Sequence, residues 1–142
     1  MKKVAIIYWS GTGNTEAMAN GIMEGARKEE VSVSLINVGN ANEEDVINAD
    51  VIAFGCPSMG AEVLEESEME PFIESIVSEV KGKNIALFGS YGWGNGEWMT
   101  DWQDRMEEYG ANLLQEGLII NNEPDAEGII KCKELGELLS KA

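Results

Sequence analysis

The sequence predicts an α/β protein built on a five-stranded parallel sheet of order 2-1-3-4-5, with helices on both faces. Three observations predict it. Strand-like and helix-like patterns alternate from one end of the chain to the other. Residues 4–8, 51–54 and 85–88 are continuous apolar runs, the signature of strands covered on both faces. The remaining two strands carry polar residues, as sheet edges do. Val31, Val33 and Leu35 alternate with Ser32 and Ser34, and the run over 113–120 contains Gln115 and Glu116. Strands 1, 3 and 4 are therefore central.

The intervening segments read as helices. Met18, Ala19, Ile22, Met23 and Ala26 recur at helical spacing, and a short acidic helix is expected over 43–48. Met69, Phe72, Ile73, Ile76, Val77 and Val80 predict a longer amphipathic helix. Trp98, Met99, Trp102, Met106 and Tyr109 line one face of the next, which Gly110 ends. Asp125 caps a final helix carrying Ile129, Ile130, Leu135, Leu138 and Leu139. With 142 residues, 44% of them hydrophobic, and no repeat or low-complexity tract, one domain over 1–142 is expected.

Charge excludes several functions. The net charge is −16 and histidine is absent. Between Glu29 and Val80 there are 13 carboxylates and no basic residue. Nucleic acid and anionic membrane surfaces are poor partners for such a chain, because they are bound through Lys and Arg. Without histidine there is no Ser-His or Cys-His nucleophile and no histidine-ligated metal. Cys56 and Cys132 form no CxxC pair and read as buried thiols. No apolar run approaches the roughly 20 residues that span a bilayer. The basic pair Lys2-Lys3 precedes too short an apolar stretch for a signal peptide, so a cytoplasmic protein is expected.

In a sheet of this order, ligands bind beyond the carboxyl ends of the strands, where the order reverses. That rule nominates the loops after Trp9, Cys56 and Ser90. The first, Ser10-Gly11-Thr12-Gly13-Asn14-Thr15, has three hydroxyls, two glycines and no cation, and it runs into a helix. It can hold a phosphate with neutral donors at a helix N-terminus; an ordinary turn with an N-cap at Asn14 or Thr15 is the alternative. The Lys of a P-loop is missing, and Glu16 stands where a dinucleotide fingerprint has its third glycine. No acidic pair of a receiver domain follows strand 1, and no C-x5-R phosphatase loop exists. A phosphate here is anchored and left intact.

The second loop is Cys56-Pro57-Ser58-Met59-Gly60-Ala61-Glu62. The Met59 thioether suits an aromatic plane and Gly60 allows two turn states, although an ordinary turn fits equally well. The third loop is Ser90-Tyr91-Gly92-Trp93-Gly94-Asn95-Gly96. Flanking glycines leave Trp93 exposed as a stacking platform for a planar ligand. Trp98 and Trp102, four residues apart, belong to the core, while Trp9 suits either role.

Ser10 to Thr15, Met59-Gly60, Ser90-Tyr91-Gly92-Trp93-Gly94 and the order of elements together resemble a flavodoxin over the whole chain. The uninterrupted fifth strand is similar to the short-chain type of anaerobic bacteria. The resemblance implies a flavodoxin-like fold that binds flavin mononucleotide (FMN). It assigns the phosphate to Ser10, Thr12, Asn14 and Thr15, the inner flavin face to Met59 and the outer face to Trp93. It further assigns the flavin N3–H to Glu62 and the pyrimidine edge to backbone near Gly92. The Gly60–Ala61 peptide would flip on one-electron reduction and favour a neutral semiquinone. Two departures stand out: Ala61 where some relatives carry an acid, and Pro57 where some carry a hydroxyl residue.

The function so implied is a low-potential one-electron carrier, monomeric and without substrate turnover of its own. Its partners would be reductases or ferredoxin-linked enzymes with basic patches. Glu62, Glu65, Glu66, Glu68 and Glu70 form either their docking face or a solvated helix start. A flavin reductase, a carrier dedicated to one enzyme and a colourless acidic interaction module are the alternatives.

Overall fold

A computed structural model of the chain describes residues 1–142. The apolar run after Met1 forms β1 (Lys2–Tyr8), and the glycine loop leads into α1 (Asn14–Ala26). Then follow β2 (Val31–Asn37), α2 (Glu43–Ile47), β3 (Val51–Gly55), α3 (Met69–Ser75), β4 (Asn84–Tyr91) and α4 (Glu97–Glu108). The chain closes with β5 (Asn112–Leu113), β6 (Leu118–Asn121) and α5 (Ala126–Lys141). All strand pairs are parallel, in the order β2-β1-β3-β4-β5, with β6 pairing further along β4.

Alternation along the central strands feeds two cores. Val4, Ile6, Val51, Ala53, Ala86 and Phe88 face α1 and α5, where Met18, Ile22, Leu135 and Leu139 cover them. Ala5, Ile7, Ile52, Phe54, Ile85 and Leu87 face the other way, under α2, α3 and α4. Trp98 and Trp102 are buried in that second layer. The Asp125 carboxylate accepts the Gly128 N–H at 2.8 Å, and Gly110 takes a left-handed φ of 89° just past α4.

Two elements differ from the sequence reading. The fifth strand is broken: after Leu114, whose N–H still donates to the Ile85 carbonyl at 2.9 Å, residues 115–117 leave the sheet, the Gly117 N–H donating to the Gln103 side chain of α4, and the ladder resumes as β6. Gly117 approaches α4 closely: a Cβ there would press on the Met99 side chain and force it to shift. The helix predicted to reach Val80 ends at Ser75, whose hydroxyl donates to the Phe72 carbonyl at 2.7 Å. A turn carries Ile76 and Val80 on into the core, whereas Val77 is exposed.

The close crossing of α1 and α5 fixes the helix that follows the first loop. A Cβ on Gly136 would overlap the Ile22 carbonyl oxygen, a backbone atom that no rotamer change can move. Gly136→Ala is therefore expected to lower stability by about 1–3 kcal/mol in urea unfolding, despite alanine's better helix propensity. A stability equal to or above wild type would show that the two helices can part.

Candidate functional site

The carboxyl ends of β1, β3 and β4 meet in a cleft of about 280 Å³. Each predicted loop supplies a wall. Gly11, Thr12 and Asn14 come from the first, Ser58 and Met59 from the second, and Ser90, Tyr91 and Gly92 from the third. Trp9, which the sequence left undecided, is also a wall residue, as is Pro57. Asn122 was not foreseen. It follows β6 with φ 58°, its N–H donating to the Tyr91 carbonyl at 2.8 Å. The Asn121-Asn122 pair is the available signal, since asparagine tolerates this backbone region.

In the first loop, Ser10 lies behind the wall. Its Oγ accepts the N–H groups of Gly13 at 3.1 Å and Glu16 at 3.2 Å. The N-cap of α1 is Gly13, in the left-handed region at φ 99°, with no side-chain cap of its own; neither Asn14 nor Thr15 caps the helix. The amides of Asn14 and Thr15 thus remain at the positive end of the helix without an intrahelical acceptor. Thr15 is 1% exposed. Its Oγ1 lies 2.9 Å from Ser90 Oγ and accepts the Ser90 N–H at 3.4 Å, which ties the first loop to the third beneath the cleft. Thr12 is exposed, and the Trp9 ring lies against Gly11.

The second loop begins as an extension of β3, the Ser58 N–H donating to the Ser90 carbonyl at 3.0 Å. Met59 and Val63 then exchange N–H···O bonds at 2.9 and 3.0 Å, closing a hairpin with Gly60, Ala61 and Glu62 at its tip. Gly60 has φ 47° and open space around it. Glu62 holds a left-handed φ of 55°, unusual for its residue type. Its Oε1 accepts the N–H groups of Gly96 at 3.1 Å and Glu97 at 3.2 Å, capping α4 and offsetting that strain. The hairpin tip and the Trp93-Gly94 turn stand outside the cleft walls. Trp93 is 67% exposed. Trp98 secures the base, its Nε1–H donating to the Cys56 carbonyl at 3.1 Å.

No Lys or Arg lines the cleft. The acidic run beside it is not a uniform exposed face. Glu66 and Glu68 are exposed, and Glu68 accepts the Trp9 Nε1–H at 3.2 Å. Glu65 is buried. Glu70 receives both Arg105 Nη groups, at 2.8 and 2.5 Å, and the guanidinium holds its carboxyl below the usual range. Both cysteines are free and buried, their thiols pushed up to about 12 at Cys56 and about 11 at Cys132, chiefly by burial. They are protonated at neutral pH. No group of three or more Cys, Asp or Glu is placed to hold a metal, and no helix is long and apolar enough to cross a membrane.

Comparison with known proteins agrees with this geometry. A family model described as Flavodoxin matches residues 6–136. The flavodoxin of Clostridium beijerinckii is 50% identical over 135 residues, covering 95% of this chain and 97% of that protein. The flavodoxin of Megasphaera elsdenii is 48% identical over 139 residues, with 98% and 99% covered. The solution structure of the two-electron reduced Megasphaera elsdenii flavodoxin superposes with a TM-score of 0.88 over 98% of this chain and 99% of that one. A flavodoxin structure from the domain Archaea, 30% identical, gives 0.89 over 98% and 96%.

The Glu70–Arg105 pair joins α3 to α4 beside the hairpin, and its pH dependence has a definite sign. A carboxyl depressed in the folded state contributes stability above its unfolded pKa of about 4.3, and loses it as pH falls through the lower folded value. Glu70→Gln is expected to cost about 1 kcal/mol at pH 7, because the pair is partly solvated. The gap to wild type should close as pH drops below about 4. A gap that stays constant from pH 7 to the acid limit would exclude the charge as its source.

Proposed function

Because this chain belongs to the flavodoxin family, whose proteins bind FMN and carry electrons, we propose that it is a low-potential one-electron carrier without substrate turnover of its own. The observation that carries this reading is the first loop, which offers hydroxyls and free helix amides but no cation, at the mouth of a cleft with an exposed tryptophan beside it. Those residues fit FMN: neutral donors for a phosphate, and apolar side chains for a flat ring. When bound, the flavin supplies one-electron oxidation and reduction.

Thr12, Asn14 and the first amides of α1 hold the phosphate. The Ser10 oxygen already accepts two amides, so its own O–H is free to donate outward. Thr15 braces the loop from below through Ser90. Met59 would pack against one ring face, and Trp93, exposed on its glycine turn, would cover the other. Glu62, with Oε1 engaged by α4, keeps Oε2 for the ring imide N–H. The open space around Gly60 leaves the Gly60–Ala61 peptide free to turn its carbonyl toward a ring donor.

The net charge of −16 opposes any further negative charge in the cleft. A carboxylate about 12 Å away contributes about 0.3–0.7 kcal/mol at effective dielectric constants of about 80 to 40, and several act together. That lowers the second potential. Docking of basic redox partners falls to the exposed members of the acidic run, Glu66 and Glu68, more than to Glu65 or Glu70.

Purified protein is expected to be yellow, to release FMN on denaturation, and to titrate in two separated one-electron steps, the second at low potential. Failure to take up FMN, a single two-electron step, or steady turnover of a nicotinamide or quinone by the isolated protein would each contradict the proposal.

A further inference from the structure

The only buried carboxylate in the chain is Glu65, which is 5% exposed and lies outside the cleft walls. Both its oxygens are filled by neighbouring donors. Oε1 accepts the Ser67 N–H at 2.7 Å and the Ser67 hydroxyl, and Oε2 accepts the N–H groups of Glu68 at 2.8 Å and Met69 at 3.0 Å. These donors outweigh burial and hold the carboxyl below its ordinary pKa. They also supply the cap that α3 lacks, since the side chain of its N-cap residue Glu68 makes no capping bond.

Two further bonds connect the turn that this carboxylate organises to the cleft, one made by the Glu65 backbone and one by the Glu68 side chain. The Glu65 N–H donates to Cys56 Sγ at 3.3 Å. Cys56 precedes the hairpin and Glu65 follows it, so the bond joins the two feet of the second loop. Glu68, fixed through its N–H, accepts the Trp9 Nε1–H, and the Trp9 ring lies 2.9 Å from where a Cβ on Gly11 would stand. One wall from the first loop and the hairpin of the second are thus both referred to Glu65. A glutamine cannot replace it, because a single carboxamide oxygen has two acceptor sites for four donors.

We propose that Glu65 is the positioning residue of the cofactor cleft, setting the Met59–Val63 hairpin and Trp9 against each other without touching the cofactor. The proposal rests on the FMN-carrier reading above. It is tested with Glu65→Gln beside Glu74→Gln, which removes an exposed carboxylate from α3. Wild type and E74Q are expected to bind FMN alike. E65Q, folded by far-UV circular dichroism, is expected to bind FMN at least tenfold more weakly. It is also expected to change the equilibrium constant between the two one-electron steps at least threefold relative to E74Q. A residue with a merely structural role would lower stability and leave that constant unmoved, and that result overturns the proposal, as does wild-type affinity in E65Q. If wild type itself fails to bind FMN, the carrier reading fails before this one is reached. Should E65Q not fold, hydrogen exchange of the FMN-loaded wild type decides. The amides of Glu65, Ser67, Glu68 and Met69 are expected to be protected as strongly as those of β3, and exchange at free-peptide rates overturns the proposal.

Discussion

An excess of carboxylates over cations decides how the helix N-termini of this chain are used. Four of the five helices receive an acid there. Asp45 completes a capping box on α2, Glu65 gathers the amides leading into α3, Glu62 caps α4 from the hairpin, and Asp125 caps α5. At α1 no carboxylate accepts from the first-turn amides. Glu16 turns to the Tyr8 hydroxyl at 3.1 Å, and a serine hydroxyl does the local capping. The positive end of α1 is the one left clear for an outside anion. Two cations elsewhere in the fold are committed: Arg105 to Glu70, and, at the opposite end of the sheet, Lys83 Nζ to the carbonyls of Ile47 and Ala49, at 2.8 and 2.5 Å.

The sheet delivers that free helix end to a cleft. The chain passes from β1 to β2 on one side and then returns to place β3 on the other, so the loops after β1 and β3 diverge and leave a crevice between them. The loop after β4 closes it, held by the Thr15–Ser90 contact and by the Ser58 N–H on the Ser90 carbonyl. Cleft geometry thus follows from which strands are apolar enough to be central, and cleft chemistry from which helix end is not already capped by an acid.

Much of this was legible in the sequence because the signals are local. Continuous apolar runs marked β1, β3 and β4 as central, glycines marked Trp93 as exposed, and the four-residue spacing marked Trp98 and Trp102 as core. What escaped is decided by contacts between distant residues. The periodicity from Met69 continues to Val80, yet the helix stops where the Ser75 hydroxyl takes up the Phe72 carbonyl, and a turn keeps Ile76 and Val80 buried anyway. The fifth strand breaks because Gly117 approaches α4 closely. Glu65 sits in a run of acids and reads as surface; only the fold shows four donors converging on it. Asn122 enters the cleft from β6, a strand whose separate existence has no local signature.

If an uncharged loop and a helix end hold the phosphate inside a chain of net charge −16, salt should help rather than hinder binding. Raising ionic strength from about 0.01 M to about 0.1 M shortens the Debye length from about 30 to about 10 Å, which screens the repulsion between FMN and the surrounding carboxylates. It weakens no ion pair in the cleft, because none is formed there. The direct measurement is the dissociation constant of FMN from the apoprotein across that range, by quenching of flavin fluorescence. The account predicts that affinity rises with salt. Affinity that falls would mean that a cationic side chain carries the phosphate, and would contradict it.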